Sequence, residues 1–193
     1  MKFAALALAL SASMAVGATL DKGKAFGNPA APITIEIFSD FQCPACRMLH
    51  TQLLPSIMRD FVVPGRAYLV YKEFPLPMHS YSRQAAAYAC AAARIGKYEQ
   101  VADVLFANQP SWSENGKVFD TVASALTPAE QQKVKAMAQD PSITGEVQED
   151  VNEGNRERIN STPTMIIIKG GRKYPIAQVL NYDLLKRFLD DLK

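Results

Sequence analysis

The side chains of this sequence best suited to chemistry lie in "SDFQCPACRMLH". Here Cys43 and Cys46 are separated by Pro44 and Ala45. A pair so spaced can be half of a metal site, a structural disulfide or a redox-active dithiol. As ligands, Cys43, Cys46 and His50 would give C-x2-C-x3-H, with His79 available as a fourth. The chain supplies no second Cys/His cluster, and zinc would need the first cysteine in a knuckle turn. As a staple, the pair closes too short a loop to remove much unfolded-state entropy. A dithiol is the better fit, with no metal, no cofactor other than the cysteines, His50 partly exposed on a helix and His79 in a loop.

The elements around the pair favour that reading. "APITIEIFSD" (31–40) alternates Ile33, Ile35 and Ile37 and reads as a strand, and helical spacing begins right after the first cysteine. Pro44 suits the first helical position, which leaves Cys43 at the N-cap. There its sulfur faces unsatisfied N–H groups and the positive end of the helix dipole, and both favour the thiolate. Cys46, one turn further in, is expected to be more buried and to act as the resolving thiol.

Compartment matters for cysteines. The chain opens with Lys2, runs uncharged and Ala/Leu-rich from Phe3 to Leu20, and turns polar at Asp21. That pattern predicts a signal peptide over 1–18, cleaved after Val16-Gly17-Ala18, and a periplasmic or secreted protein in which disulfides persist. The first cysteine is Cys43, so no lipid anchor is expected at the cleavage site. Hydrophobic residues make up 48% of the 193 positions and charged ones 21%, as in a globular protein with a real core. A net charge of +2 with scattered Lys and Arg argues against a nucleic-acid partner.

Further along, residues 44–61 have helical spacing at Leu49, Leu53 and Ile57, with Pro55 expected to kink or interrupt the helix. Residues 66–74 read as a second strand. No strand is expected over 80–160, where a helical run breaks near Gly96 and ends at Pro110. A helix then starts at Thr127 with a capping box to Glu130, and a more polar one follows. Two short strands flank Gly170-Gly171, and an amphipathic helix with Leu184, Leu185, Phe188 and Leu192 on one side closes the chain.

"FSDFQCPAC", "YKEFPLPMH", "LFANQ" and "STPT" occur in that order, and with them the mature chain resembles the DsbA-type thiol–disulfide oxidoreductases of the thioredoxin superfamily. The resemblance implies an α/β thioredoxin fold (β-α-β … β-β-α) with a large inserted helical subdomain. Residues 33–79 and 161–193 would form the thioredoxin-like domain, 80–160 the insertion, and 19–32 a short N-terminal segment. It further implies that Cys43 and Cys46 are catalytic and that Pro163 is a cis proline beside them. Pro44, Ala45 and Thr162 would be supporting residues.

Two departures from the family pattern bear on mechanism. Many members carry a buried acid six residues before the first cysteine, where this chain has Ile37. Glu36 is adjacent but should point to the opposite face of the strand. Glu36 and Glu73 therefore stand as candidate proton carriers, with Asp40 a further acid nearby. The second departure is Ala45, where the strongest oxidants have histidine. It adds no charge, so a Cys43 pKa between about 3.5 and about 7 and intermediate oxidising strength are expected.

The remaining thiol, Cys90, shares a helical side with Arg83, Ala87 and Arg94 and is expected to be buried and inert. The function expected is disulfide transfer to reduced or misfolded exported proteins, with a membrane or soluble redox partner resetting the cysteines. Only Thr19 to Pro32 precede the first strand after cleavage, so an N-terminal dimerisation region is not expected, and a monomer is. The rival readings are a disulfide isomerase or reductase of the same family, an exported metal- or copper-binding protein using the same cysteines, and a thioredoxin-fold binding module without turnover.

Overall fold

The structure, a computed structural model, describes residues 23–177 and 181–192. The predicted signal peptide and its cleavage site lie outside them. Among the described residues one mixed sheet of five strands runs in the order β1-β3-β2-β4-β5. The strands are β1 Ala25–Phe26, β2 Ile33–Ser39, β3 Ala67–Glu73, β4 Thr164–Lys169 and β5 Arg172–Ile176. β2 and β3 are parallel, whereas the β1–β3, β2–β4 and β4–β5 pairs are antiparallel. β1 is two residues long and has no alternation to betray it in the sequence. β5 holds Pro175 and lies at the end of the strand order, where a missing N–H breaks no ladder bond.

Period-two alternation makes the two faces of the sheet chemically different. Ile33, Ile35 and Ile37 of β2 join Leu69 and Tyr71 of β3 and Met165 and Ile167 of β4 in the main core. Phe38, Ile166, Phe74 and Ile159 form a smaller cluster on the other face. The helix following β2 covers the main-core face with Cys46, Leu49, Leu53, Ile57 and Phe61. It comprises α1 Pro44–Met48, a π-helical turn Leu49–Leu53, α2 Leu54–Ile57 and a second π-helical turn Met58–Val62.

The expected interruption at Pro55 does not occur. Leu49, Leu54 and Met58 at the junctions all keep right-handed helical angles, so the chain winds on through. Pro55 falls in the first turn of α2, directly after the first widened turn, so the ladder is rewound around a residue with no N–H to give.

Between β3 and β4 the described residues form only helices. These are α3 Ser82–Ala93, α4 Tyr98–Ala107, α5 Gln109–Asn115, α6 Val118–Ala123, α7 Pro128–Met137 and α8 Pro141–Arg156. α3 is buried along nearly its whole length, from Ala85 to Ala93, because its alanines let neighbours approach on every side. The Thr127–Glu130 capping box is present. Pro110 does not end a helix as expected, since it sits in the first turn of α5, where a proline costs no hydrogen bond. Trp112 of α5 is fully buried and donates its indole N–H to the Leu105 carbonyl at 2.7 Å, tying α5 to α4. The last helix, α9 Tyr182–Asp191, buries Leu185 and Leu189. Leu184, expected on the inner side, is 56% exposed, because the i, i+4 stripe runs through Leu185 rather than Leu184.

α8 approaches the Phe38/Phe74 side through Gly154, where a Cβ would lie 2.4 Å from the Phe74 ring and 3.2 Å from Phe38. Gly154→Ala should therefore lose about 1–3 kcal/mol to overpacking, despite a gain in helix propensity of about 1 kcal/mol. Urea unfolding should show a lower midpoint at an unchanged slope, and an unchanged or raised midpoint would contradict this packing.

Candidate active site

Cys43 is the N-cap of α1, with extended backbone angles (φ −78°, ψ 121°) and Pro44 just inside the helix. Its N–H donates to the Asp40 carbonyl at 3.1 Å, and its carbonyl accepts from Arg47 N–H at 3.1 Å and from Gln109 Nε2 at 2.9 Å. Cys46 is fully buried, and its sulfur accepts from the Asp40 N–H at 3.4 Å. Neither sulfur is bonded to another cysteine here. Across from them the Thr162–Pro163 peptide bond is cis, and the Cys43 thiol donates to the Thr162 carbonyl at 3.4 Å. The backbone thus joins sequence-predicted residues that stand more than a hundred positions apart.

The buried Asp40 side chain holds this junction in place. One carboxylate oxygen accepts from Gln42 N–H at 2.8 Å and from the Ser82 hydroxyl. The other accepts from Leu76 N–H at 2.7 Å and His79 Nδ1 at 2.7 Å. Gln109, from the first turn of α5, adds a second clamp by donating to the carbonyls of Phe41 and Cys43. Gln42 in turn accepts from Tyr81 N–H at 2.9 Å. The loop after β3 and the inserted helices therefore fix the cysteine turn from outside.

These surroundings split the two thiols. The Cys43 pKa is pulled down from 9.0 to about 5. A hydrogen bond from the Cys46 thiol does most of this against the opposing effect of burial, helped by Thr162 and by the N–H groups of Cys46 and Ala45. Burial pushes the Cys46 thiol well up, and the neighbouring Cys43 thiolate pushes it further. At neutral pH the pair holds one proton, and Cys46 has it. Ala45 gives no charge to this balance, so the Cys46 thiol carries most of the effect, with hydroxyl and backbone donors adding to it, in line with the expected window.

A helix-capping thiolate beside a buried partner thiol, facing a cis-proline turn, is the arrangement in which a dithiol exchanges disulfides. Residues 19–191 match the protein-family model described as Thioredoxin. The chain belongs to this thioredoxin family. It is 23% identical over 173 residues to "Disulfide bond formation protein D" of Bacillus subtilis (strain 168), covering 85% of this chain and 74% of the relative. The fold is similar to that of Wolbachia pipientis alpha-DsbA1, with a TM-score of 0.76 at 19% identity over 88% of this chain and 89% of that one. Oxidised BdbD from Bacillus subtilis is similar at a TM-score of 0.73 and 22% identity, with 90% and 94% covered. The protein is a DsbA-like thiol–disulfide oxidoreductase with a thioredoxin fold carrying a helical insertion.

The proton-carrier candidates separate cleanly in this thioredoxin-family protein. Glu36 projects to the sheet face opposite Ile37, as the strand offset requires. There burial raises its pKa, partly offset by the charge of Lys72, on the side away from the cysteine helix. Asp40 has its oxygens committed to four donors. Glu73 is fully buried on the cysteine side of the sheet and accepts from the Tyr98 hydroxyl at 2.8 Å. Its pKa is raised to about 8, by burial first, against the pull of Lys24. Two cations, Lys24 and Arg94, meet three carboxylates there. Lys24 contacts Asp150 at 2.5 Å and Glu146 at 3.1 Å, and Arg94 also pairs with Glu146. Glu73 is the acid that stays protonated.

Cys90 is fully buried beside this cluster, and its sulfur lies 3.8 Å from Lys24 Nζ. Its cationic neighbour is therefore Lys24 from the N-terminal segment, not an arginine of its own helix, because Arg94 is engaged with Glu146. Burial pushes this thiol well up, which leaves it unreactive.

Neither histidine is turned toward the sulfurs. His79 sits in the loop after β3 on Asp40, as described. His50, expected to be partly exposed, is buried, with Nδ1 2.8 Å from the Tyr71 hydroxyl and Nε2 2.8 Å from Asp103. It follows Cys46 by one helical turn and so shares the face turned to the sheet. No cluster of three metal-binding side chains occurs among the described residues. Sequence reasoning missed Gln109, Ser82, Tyr71 and Asp103, which join the site only through tertiary packing.

Two expectations test this electrostatic arrangement. The Thr162 hydroxyl is buried with no hydrogen-bond partner, which leaves it free to serve the Cys43 sulfur. Thr162→Val should therefore raise the Cys43 midpoint above about 5, read as thiolate absorbance near 240 nm against pH. A midpoint at or below the wild-type value would remove Thr162 from the set of stabilising groups. Glu73 titrates at about 8 in the fold against 4.5 unfolded, so its stabilising contribution is complete below pH 4.5 and disappears as pH rises through about 8. Glu73→Gln should flatten the decline of stability across that window, measured by urea unfolding at its two ends.

Proposed function

We propose that this oxidoreductase works as an exported oxidase of substrate proteins. A substrate thiolate attacks Cys43 of the oxidised pair, the Cys43–Cys46 bond breaks, and a mixed disulfide forms. A second substrate thiolate then releases Cys43, leaving with the disulfide. The observation that carries this reading is the split between Cys43, lowered to about 5, and Cys46, raised well above its ordinary value. Stabilising the Cys43 thiolate stabilises the reduced enzyme, and that makes the disulfide a ready donor.

Pro163 and Thr162 support the reading by presenting a backbone edge next to Cys43, where an extended substrate segment can pair. The predicted signal peptide supports action in the periplasm or outside the cell, on reduced or misfolded exported proteins, as a monomer. A membrane or soluble redox partner resets the cysteines, and no cofactor beyond them takes part.

The potential of the Cys43–Cys46 couple against glutathione should fall between about −270 and about −120 mV, the values of thioredoxin and of the strongest oxidant of this type. A value at or below the thioredoxin end would exclude an oxidase. Cys43→Ser should abolish disulfide transfer, and Cys46→Ala should accumulate mixed disulfides with reduced substrate proteins, visible on non-reducing gels. Failure to trap any would count against attack at Cys43.

A further inference from the structure

The stretch "LFANQ" (105–109), which carries part of the family resemblance, joins the end of α4 to the start of α5. It belongs to the insertion, yet it grips the cysteine turn. The Phe106 ring packs against that of Phe41, with centroids 4.8 Å apart. Gln109 is 4% exposed, and its Nε2 donates to the Phe41 carbonyl at 2.7 Å and to the Cys43 carbonyl at 2.9 Å. One turn further along α5, the Ser113 carbonyl accepts from Gln42 Nε2 at 3.3 Å. Phe41, Gln42 and Cys43 are thus each tied to this stretch or to the helix that it opens.

An amide nitrogen carries two hydrogens, and in Gln109 each meets a carbonyl. Both carbonyls belong to the turn in which the Cys43 N–H returns to the Asp40 carbonyl. Asp40 and Gln109 are complementary clamps: the carboxylate takes N–H groups such as those of Gln42 and Leu76, and the amide takes carbonyls. The Cys43 carbonyl is also the first acceptor of α1, receiving the Arg47 N–H at 3.1 Å. Fixing that carbonyl fixes the direction in which the helix leaves Cys43. It thereby aims the N–H groups of Ala45 and Cys46, which help to hold the thiolate. The Trp112 indole, bonded to the Leu105 carbonyl at 2.7 Å, closes α5 against α4 and sets where Gln109 stands.

We propose that Gln109 is a positioning residue for disulfide exchange, holding the Phe41 and Cys43 carbonyls so that the insertion sets the oxidising strength of the cysteine pair. This rests on the oxidoreductase reading and gives the helical insertion a part in the redox step. Without the amide, two buried carbonyls lose a donor and the turn relaxes toward other partners. The cap N–H groups then turn from the Cys43 sulfur, and the thiolate loses stabilisation. The reduced enzyme becomes less favoured, so the disulfide becomes a weaker oxidant.

The test compares two glutamines of the insertion that make the same kind of clamp. Gln131 donates its Nε2 to the carbonyls of Ala123 and Leu126, both at 3.0 Å, and these lie between α6 and α7 rather than at the cysteines. Gln109→Met and Gln131→Met each remove two donors and keep the side-chain length. The Cys43 midpoint of the full chain is read as thiolate absorbance against pH. The equilibrium with glutathione is read by acid quench and alkylation; in it two glutathione thiols become one disulfide as the Cys43–Cys46 bond opens to two thiols.

Gln109→Met should raise the midpoint above about 5 and cut the equilibrium constant for oxidising glutathione about 10-fold, or about 30 mV for this two-electron couple. Gln131→Met should lower the urea midpoint and leave both readings at their wild-type values. Gln109→Glu keeps the shape with at most one donor, so it should shift both readings in the same direction as Gln109→Met. It carries the test if the methionine variant does not fold. Wild-type readings in either Gln109 variant, or an equal shift in Gln131→Met, would overturn the assignment. A wild type that exchanges no disulfide with glutathione would instead sink the oxidoreductase reading, and the thiolate midpoints would still decide the role of Gln109.

Discussion

The hydrogen-bonded seat of Asp40 is the constraint on which this site depends. A strand must end, turn and start a helix within four residues, and the turn must leave a sulfur at the helix cap. Asp40 allows this by accepting two backbone N–H groups, a hydroxyl and an imidazole with one carboxylate, while its own N–H and carbonyl serve Cys46 and Cys43. Buried and fully coordinated, such a carboxylate is costly to disturb, because removing any donor strands charge in a dry interior. It also joins three segments distant in sequence, namely the cysteine turn, the loop after β3 and the start of α3. The insertion is thereby coupled to the chemistry, and Gln109 repeats the coupling from α5.

The cysteine pair shows how an uncharged spacer still yields a stable thiolate. A helix cap, two N–H groups, a hydroxyl and a partner thiol lower the Cys43 pKa, while burial works against them. The same burial raises Cys46, so one environment separates two chemically identical groups. The separation sets direction: Cys43 is the better leaving group and the more exposed of the two sulfurs, and Cys46 holds the proton.

Much of this was legible in the chain. The alternation of Ile33, Ile35 and Ile37 gave the central strand, and Pro44 gave the helix start, because both follow from local geometry. The Thr127 capping box and the Gly170-Gly171 hairpin were equally local. The errors have local causes too. Pro55 was read as a kink or an interruption because a wide turn that absorbs a proline leaves no signature in side-chain spacing. The inward stripe of α9 was misplaced by one leucine, since a helix with four apolar candidates offers two neighbouring stripes. Gln109, Ser82 and Asp103 were invisible because each is an ordinary polar residue on its own helix and gains a role only from what packs against it. His50 was misjudged for the same reason: its partners lie on β3 and α4.

Register decides which groups share the buried face beneath the cysteines. In a parallel pair the position facing Ile37 on β3 belongs to the same core face, and a polar group there reaches the same buried volume. Tyr71 occupies it, and a phenol is neutral across the physiological range, so it can be buried without the desolvation penalty of a carboxylate. Its hydroxyl lies 2.8 Å from His50 Nδ1, and the far nitrogen of that histidine meets the exposed carboxylate of Asp103. Glu36, one residue from Ile37, serves the opposite face and cannot substitute. A chain with an apolar Ile37 can in this way hold a drier core beneath its cysteines.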